Sequence, residues 1–533
     1  MATAASIWEI GSGVHMKRMV ALFLSIGLAL GSVQPANAQD AYNPELINAP
    51  ENGGVFQIGE SGASVAYSTL AAGRHQTQEQ WVCDSTTDPE CSSSKSDYMQ
   101  GEGILPPCES ETDENCVAGL QLSVAGSEYE SATYKRSIKG MTFAANPSLD
   151  FYEQSTPSLW EAPNSPSASG TTSYVVLVRA TQSRENPNRK FKTWRFTASV
   201  IPYREQPGDN FKSPYQETNF TDPVQGKRPR SLGIGGHGYE CAWSEDGACG
   251  VAQDFAPETK VKLTVRISKN VGGWFQGRIK NPNISVKSFS ETNNEISVAA
   301  EPAVVQRMVY TIDDVKDLSS KEREFVRQNG FAGSWERFVT WSEASQSRTF
   351  AYLNHFKTKL DDKATGHNTF WNFSSSVGGG QGSQCLTDTS KVLGIVTTNA
   401  MVYDGGVPKF SRGFLDYKVA GLHYEADGVT EVMGSYDLVM RSEVARCLYG
   451  FNKAPVSATI TISGEGDKNI ATTIVGEKGG WLKLAAYDFT FSQKTIKVKL
   501  TQKKTTITCV APGKKSKKVT GFSPKCPKGF KKR

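Results

Sequence analysis

The stretch KVKLTVRIS, residues 260–268, indicates the fold class. Its apolar residues Val261, Leu263, Val265 and Ile267 alternate with polar ones, which is the period-two pattern of a strand with one buried face. Further short strand-like segments are SYVVLVRAT, ISVKSF, AVVQRMVY, LGIVTTNAMVY, ATITIS and IKVKL. Many short strands favour antiparallel sheets over a parallel α/β sheet. We therefore expect a mainly β protein with several antiparallel β-sandwich-like domains, disulfides and a short helical insertion.

The segment TWRFTASV, residues 193–200, has the same alternation. It predicts one buried face that carries Trp194, Phe196, Ala198 and Val200. Turn dipeptides lie between later strand segments, at Asp404-Gly405, Asp427-Gly428 and Gly479-Gly480.

One region has a sequence pattern that predicts a helix. Ser319 is followed three residues later by Glu322, the spacing of a capping box, and the helix SKEREFVRQ then ends at Asn329-Gly330. The chain therefore predicts a helix directly after Ser319.

A second helix is predicted to begin at Ser334, because Trp335, Phe338 and Val339 recur at helical spacing. Together the two helices form a predicted helical pair within residues 312–346, inserted between β-domains. A glycine-rich loop or linker follows in SSSVGGGQGSQ, residues 374–384.

The N-terminus predicts export. MKRMVALFLSIGLALGSVQPANAQD, from Met16, has basic residues, an apolar run and the small-residue cleavage site Ala36-Asn37-Ala38. Translation could begin at Met1 or Met16, and this layout favours Met16. No other segment approaches the roughly 18 apolar residues that span a bilayer. We expect an extracellular protein, secreted or attached non-covalently to the cell surface.

Ten cysteines remain after cleavage, and in an exported chain they are expected to form disulfides. Arithmetic does not fix the connectivity, but proximity in sequence favours five pairs. These are Cys83 with Cys91, Cys108 with Cys116, Cys241 with Cys249, Cys385 with Cys447, and Cys509 with Cys526.

Three of these pairs bound acidic nine-residue boxes, CDSTTDPEC, CESETDENC and CAWSEDGAC. They could be calcium loops or disulfide-closed turns. A calcium loop needs oxygen ligands at set positions, whereas the carboxylates of the three boxes fall at different offsets. We therefore interpret the boxes as turns with acidic tips.

Charge is strongly segregated within an overall +5. Residues 39–170 hold 19 acidic and 5 basic residues, a net of −14, while residues 491–533 hold 14 basic residues and no acidic ones. Thirteen of those 14 are lysines, which supply flexible long-range charge rather than the fixed fork of arginine. This favours diffuse attraction to an anionic polymer over specific nucleic-acid recognition; the alternative is a solubilising tail. The predicted binding residues are Lys503, Lys504, Lys514, Lys515, Lys517, Lys518, Lys525, Lys528, Lys531 and Lys532.

Catalytic motifs are missing from the sequence. It contains neither the His-Glu-x-x-His zinc motif nor the Gly-x-Ser-x-Gly nucleophile elbow. His355, Asp361, Asp362 and His367 are close enough in sequence to be weighed as metal ligands, but such proximity arises by chance, and we expect no metal and no cofactor. Paired carboxylates of a glycosidase are neither supported nor excluded. Tryptophans could form a sugar-binding face or, more often, a core, and these are Trp160, Trp194, Trp243, Trp274, Trp335, Trp341, Trp371 and Trp481.

Three stretches carry a family resemblance. The ending, TTITCV followed by KKSKKVTGFSPKCPKGFKK, resembles a terminal module of exported actinobacterial proteins of unassigned function. YDLVMRSEVARCLYGF with GGWLKLAAYDFTFS resembles the domain that precedes this module, and GWFQGRIKNPNISV resembles another part of the family. The resemblance extends from about Cys241 to the C-terminus. It implies export and a surface setting, and it implies no activity.

These observations divide the chain into six predicted segments. They are residues 1–38 as signal peptide, 39–170 as an acidic Cys-stapled region, 171–311 as a β-domain, 312–384 as the helical insertion and Gly-rich loop, 385–502 as a β-sandwich-like domain, and 503–533 as the Lys-rich Cys-bounded tail.

Three functions remain open. The first is a cell-surface structural or binding protein, held by its tail to anionic wall polymer or membrane headgroups, with carbohydrate as a further candidate partner. The second is a secreted hydrolase acting on polysaccharide or peptide, although the sequence leans away from an enzyme. The third is a self-assembling surface-layer component whose oppositely charged ends meet.

Overall fold

The computed structural model describes most of the chain after residue 48. The described residues are 49–60, 67–76, 80–91, 95–185, 189–208, 215–218, 221–222, 226–227, 231–234, 241–329, 331–333, 336–375, 384–388, 390–451, 456–464, 472–491, 494–502, 504–522 and 524–533. The predicted signal peptide, Lys503, Trp335 and most of the glycine-rich loop lie outside them.

The described residues are mainly β, as the sequence predicts. The strands of the first half are β1 (Gly54–Gly59), β2 (Thr69–Gly73), β3 (Gln80–Val82), β4 (Tyr98–Ile104), β5 (Cys116–Ser123), β6 (Glu130–Ser131), β7 (Thr133–Ser137), β8 (Ser158–Glu161), β9 (Ser173–Glu185), β10 (Lys192–Pro207), β11 (Tyr215–Thr218), β12 (Thr221–Asp222), β13 (Gly226–Lys227), β14 (Ser231–Ile234), β15 (Trp243–Glu245), β16 (Ala248–Ala252) and β17 (Lys260–Ser268).

The remaining strands complete the sheets. They are β18 (Gly273–Ser288), β19 (Asn293–Arg307), β20 (Val309–Ile312), β21 (Phe331–Gly333), β22 (Phe338–Glu343), β23 (Gly366–Ser375), β24 (Val392–Thr398), β25 (Val402–Tyr403), β26 (Lys409–Ser411), β27 (Phe414–Ala420), β28 (Met433–Arg441), β29 (Val456–Gly464), β30 (Thr472–Lys478), β31 (Trp481–Thr490), β32 (Lys494–Gln502), β33 (Thr505–Ala511), β34 (Lys514–Gly521) and β35 (Lys531–Lys532). Three α-helices are described, namely α1 (Ser320–Asn329), α2 (Ser347–Lys357) and α3 (Ser442–Tyr449).

The long strand β18 belongs to two sheets. Its first half pairs with β23 and β24, and its second half pairs with β19, which continues to β17 and β5. The register shifts between Lys280 and Asn283, at the point where the strand passes from one sheet to the other. Asn281, inside this bulge, has a positive φ of 56°. A bulge of this kind bends a strand and lets it turn a corner between packed sheets.

The largest apolar core lies between these sheets. Val261, Leu263, Val265 and Ile267 of β17 are buried in it, together with residues from β9, β10 and the first half of β18. The apolar residues that alternate in residues 260–268 therefore form the inward face of one sheet. Burying such a face supplies the main driving force for sheet packing.

A second core lies around β24, β28, β31 and the five-stranded sheet of β25, β26, β27, β32 and β29. A third lies between the helices α1 and α2 and a four-stranded sheet of order β20-β1-β22-β21. Strands β33 to β35 form a separate three-stranded sheet, of order β34-β33-β35.

Hydrogen-bonded pairing does not follow the predicted segment boundaries. Strand β4 pairs with β9 across residue 170, and β10 pairs with β23 across residue 311. Strand β18 also pairs with β24, so one sheet runs from the N-terminal region into the segment that begins at residue 385. Among the described residues the terminal strands, in contrast, pair only with one another.

The prediction that Trp194 shares the buried face of its strand is wrong. The Trp194 side chain is 43 % exposed, while Phe196, Ala198 and Val200 are buried. A register shift between Thr193 and Arg195, in the pairing of β10 with β9, explains the difference. A one-residue bulge reverses the faces of the residues on its two sides.

The predicted first helix is confirmed and the predicted second one is wrong. Helix α1 begins after Ser319, whose backbone N–H donates to the Glu322 carboxylate at 2.8 Å while the Ser319 hydroxyl accepts from the Glu322 N–H at 3.3 Å. Phe338 and Val339, in contrast, lie in strand β22, which runs parallel to β1. The pairing with β1 buries both residues, so tertiary contacts override the helical spacing. The next helix, α2, begins only at Ser347.

Within the described residues, no helix combines the length and the apolar character needed to cross a lipid bilayer.

Candidate functional site: the lysine-rich terminal sheet

The terminal sheet is built around one disulfide. Cys509 of β33 bonds to Cys526 in the loop before β35, and Cys509 is fully buried. Lys517 of β34 and Lys532 of β35 lie directly opposite Cys509 on its two sides. The disulfide therefore fixes the strands that carry the lysines.

The sheet brings the predicted binding lysines together on exposed positions. All nine described members of the predicted set are exposed, and within the described residues no carboxylate lies within 4.0 Å of any of them. They are Lys504, Lys514, Lys515, Lys517, Lys518, Lys525, Lys528, Lys531 and Lys532; Lys503 lies outside the described residues. Like charges held on one small sheet, without internal counter-charges, attract an external polyanion.

Two aromatic rings lie next to the lysines, and they were not among the residues predicted from the sequence. Lys514 and Lys517 have their ammonium groups 5.8 and 5.1 Å from the centroid of the Phe530 ring. Lys504 lies 5.4 Å from the centroid of Phe522. Such cation–π contacts limit where a long lysine side chain points. The signal in the sequence is the Gly-Phe dipeptide that occurs twice among the terminal lysines.

The five disulfides are those favoured by sequence proximity. In the first acidic box Asp88 accepts from the backbone N–H groups of Asp84 and Glu90, at 2.9 and 2.8 Å. In the second, Asp113 accepts from the N–H groups of Glu109 and Ser110, both at 2.7 Å. The Ser110 hydroxyl, together with these backbone bonds, holds the pKa of Asp113 below its usual value.

In the third box Glu245 forms an ion pair with Arg136 at 2.8 Å and also accepts from the Lys139 N–H. Carboxylates of all three boxes thus serve the local fold. No group of three or more potential metal ligands occurs in the part of the chain that the structure describes. The geometry matches the predicted disulfide-closed turns.

An acidic cleft lies beside the second box. Its volume is about 800 Å³, and Phe151, Tyr152 and Phe191 contribute aromatic surface to it. Lys269 is the basic residue on its wall, whereas six carboxylates line it. These are Glu109, Asp113, Glu114, Asp150, Glu153 and Glu291. The cleft is suited to a cationic group, and no single residue in the sequence marks it.

The structure does not bring the candidate metal ligands His355, Asp361, Asp362 and His367 together. His355 lies 3.2 Å from the Glu322 carboxylate, and Asp362 instead accepts from the His423 backbone N–H at 2.8 Å. The candidate tryptophans differ in exposure, and Trp481 is half-buried. Trp160, Trp243, Trp274 and Trp371 are buried in cores, whereas Trp194 and Trp341 are the large exposed ones among the described tryptophans.

A polar network around the buried Asp437 lies where β18 bends, and it was not predicted from the sequence. Asp437 of β28 is 1 % exposed and accepts from the Asn281 N–H at 2.9 Å and from the Tyr487 hydroxyl at 2.6 Å. The Lys483 ammonium donates to the Asn281 side-chain oxygen. Burial raises the pKa of Asp437 and lowers the pKa of Lys483. No sequence signal finds this network, because its residues come from three distant strands.

Comparison of the chain with protein families, with curated proteins and with solved structures finds no match.

Proposed function

We propose that this is an exported cell-surface protein that acts by binding or by building, held by its lysine-rich terminal sheet to an anionic polymer. The observation that carries the proposal is the set of exposed lysines on a sheet that contains no acidic residue. Anionic wall polymer and membrane headgroups are the candidate ligands. Lysines bind such surfaces through summed charge, so attachment is non-covalent and sensitive to salt.

Further observations support this proposed setting. Five disulfides support an oxidising compartment. The apolar run that ends at Ala38 and the resemblance to exported actinobacterial proteins both support export to the surface.

Sedimentation with isolated bacterial cell walls tests the proposal. The full chain from Gln39 is compared with a variant in which four lysines of β34 are replaced by glutamine, namely Lys514, Lys515, Lys517 and Lys518. We expect the unaltered chain to bind walls at low salt and to be released at high salt, because salt screens exposed charges. We expect the variant to bind at least tenfold more weakly.

A matched control replaces four exposed lysines elsewhere, which are Lys260, Lys287, Lys409 and Lys478. This control keeps the same net charge as the β34 variant. Equal weakening by both variants would show that only overall charge matters, and absence of binding at low salt would refute the proposal. Vesicles with and without anionic lipid distinguish headgroups from wall polymer.

The acidic cleft favours a second candidate, the self-assembling surface component. Six carboxylates line the cleft, and the terminal sheet of another copy offers the complementary charge. Contact between two different surfaces of identical chains generates open chains or rings. Assembly of this kind requires both charged surfaces, whereas wall binding requires only the terminal sheet.

Sedimentation velocity over a range of protein concentrations tests this candidate. We expect assembly at low salt to disappear when Glu109, Glu114, Glu153 and Glu291 are replaced by glutamine, and wall binding to persist. A control with the same charge change replaces Glu128, Glu185, Glu258 and Glu324, which are exposed elsewhere. A monomer at all concentrations would refute self-assembly and leave wall attachment intact.

The hydrolase alternative has less support from the cleft. Asp113 is engaged by Ser110, Glu114 accepts from the Thr292 hydroxyl at 3.1 Å, and Asp150 pairs with Lys190 at 3.1 Å. A general acid requires a carboxyl whose pKa is raised, whereas hydrogen bonds from Ser110 hold the pKa of Asp113 below its usual value.

A further inference from the structure

The bend of β18 places an amine directly against a side-chain amide. Lys483 of β31 donates from Nζ to Oδ1 of Asn281. The amide carbon Cγ of Asn281 is one bond beyond that oxygen, so the amine is in contact range of an electrophilic carbon. The two residues are 202 positions apart in sequence, and their contact depends on the way the sheets fold.

Two carboxyl groups flank this contact. Asp437 lies 3.9 Å from Lys483 Nζ and accepts from the Asn281 backbone N–H. Glu301 accepts from the Asn281 side-chain Nδ2 at 3.4 Å. One carboxyl therefore lies beside the attacking amine and the other beside the amide nitrogen. Proton transfer needs a heavy-atom distance of about 2.6–3.2 Å or one bridging water, so at 3.9 and 3.4 Å these two groups act after a small approach or through a water.

The contact lies at the edge of the core, where Asn281 is exposed and its partners are shielded to different degrees. Asp437 is buried, and the Lys483 side chain is 26 % exposed. The Tyr487 hydroxyl covers Asp437, and Lys280 lies 5.3 Å from the Tyr487 ring. Burial favours the neutral form of an amine and the neutral form of a carboxyl, which agrees with the lowered pKa of Lys483 and the raised pKa of Asp437. A neutral lysine amine is a nucleophile.

The backbone holds the amide in place. Asn281 has a positive φ within the bulge, and its N–H, which the bulge removes from the strand ladder, is bonded to Asp437. Asp437 thus fixes the electrophile while also lying near the nucleophile. Strained bulges recur at functional sites because they aim a side chain.

From this geometry we propose that Lys483 and Asn281 join in an intramolecular isopeptide bond, with Asp437 and Glu301 as the proton-transfer groups. Lys483 Nζ attacks Asn281 Cγ, the Nζ–Cγ bond forms, and the Cγ–Nδ2 bond breaks. The ammonium of Lys483 begins with three hydrogens and its nitrogen keeps one. The other two pass through Asp437 and Glu301 to Nδ2, which leaves as an ammonium ion, so both carboxyl groups end as they began. No oxidant or cofactor takes part.

The bond would tie β18 covalently to β31. In the sheet these strands are separated by β24 and β28, so the cross-link bridges strands that are not hydrogen-bonded neighbours. This inference is independent of the proposed wall attachment and is tested separately.

Peptide mapping of the purified full chain by mass spectrometry, after reduction of the disulfides, tests the proposal. We expect trypsin to release residues 281–287 joined to residues 479–494, with no cleavage after Lys483. The joined peptide should weigh one ammonia less than its two parts together. The intact mass alone does not decide the matter, because an N-terminal glutamine also loses ammonia when it cyclises.

Substitutions test which residues take part in forming the bond. Lys483→Arg and Asn281→Gly should each abolish the joined peptide; glycine suits the positive φ and keeps the bulge. Asp437→Asn should lower the joined fraction at least tenfold. Lys280→Arg, which changes the neighbouring lysine, should leave the cross-link complete. Separate peptides 281–287 and 479–483 from the unaltered chain, or deamidated Asn281 in place of the joined peptide, would overturn the proposal.

Discussion

Glu322 shows how much one carboxylate contributes to the fold. It accepts from the Ser319 hydroxyl at 2.6 Å, from Lys359 at 2.8 Å and lies 3.2 Å from His355, although its side chain is only 1 % exposed. Burial alone would raise its pKa, but these partners together lower the pKa to about 2. The same residue therefore caps α1 and links it to the residues at the end of α2.

The lowered pKa predicts a dependence of stability on pH. Because the folded-state pKa lies below the ordinary value of 4.5, the contribution of Glu322 is fully present above pH 4.5 and is lost as pH falls towards about 2. We expect Glu322→Gln to reduce the free energy of unfolding by about 2 kcal/mol at pH 7 and to flatten this acid dependence. Urea unfolding of both proteins between pH 7 and pH 3 measures the free energy of unfolding and its dependence on pH. Glu324→Gln, on the exposed side of the same helix, should change neither quantity.

Arg278 gives a second prediction at the residue scale. Its fully buried guanidinium pairs with Glu60, donates to the carbonyls of Thr398, Ala400 and Met401, and lies 4.3 Å from the centroid of the Tyr403 ring. A lysine ammonium cannot reproduce this planar fork of donors.

We therefore expect Arg278→Lys to lower the free energy of unfolding by about 3 kcal/mol, measured by urea titration. Arg327→Lys, at an exposed position of α1, is the matched control and should change the free energy of unfolding by less than about 0.5 kcal/mol. An equal effect of the two substitutions would contradict the assigned role of the guanidinium.

At the scale of elements, the sequence predicts what local pattern determines. The alternation in residues 260–268 and the capping box at Ser319 depend on neighbours in the chain, and both predictions are confirmed. Trp194 and strand β22 escape prediction because a bulge and a parallel pairing with β1 decide their environment. The terminal lysines are visible in the sequence. The contact of Asn281 with Lys483 is not, because it forms only when distant strands meet.

The terminal sheet is an element whose stability can be tested apart from the rest. In the part of the chain that the structure describes, its strands pair only with one another, and Cys509–Cys526 closes it with a sequence separation of 17. In the chain-entropy account such a loop contributes about 3 kcal/mol. We expect Cys509→Ala with Cys526→Ala to open this sheet locally and to make the tail sensitive to trypsin, while the melting temperature of the remaining protein is unchanged. A large fall in the main melting transition would contradict a separate terminal unit.

At the scale of the whole molecule, disulfides differ by the length of chain they close. Cys385–Cys447 spans 62 positions, and Cys108–Cys116 spans 8. Closing the longer loop removes more conformational freedom from the unfolded chain, and the chain-entropy account gives about 4 kcal/mol against about 2.5 kcal/mol. The longer loop also encloses β24 and β28, which pair in the sheet that joins the two halves of the chain.

We therefore expect replacement of Cys385 and Cys447 by alanine to lower the urea midpoint of the main transition more than replacement of Cys108 and Cys116. Cys385 is half-buried and Cys447 is exposed, so their removal leaves little cavity and reports mainly on the unfolded chain. If the Lys483–Asn281 bond is present, it already restricts the unfolded chain between residues 281 and 483, and the loop closed by Cys385–Cys447 lies within that span. Combining the disulfide variant with Lys483→Arg should then lower the free energy of unfolding by more than the sum of the two separate losses. Strict additivity would indicate that the chain carries no such cross-link.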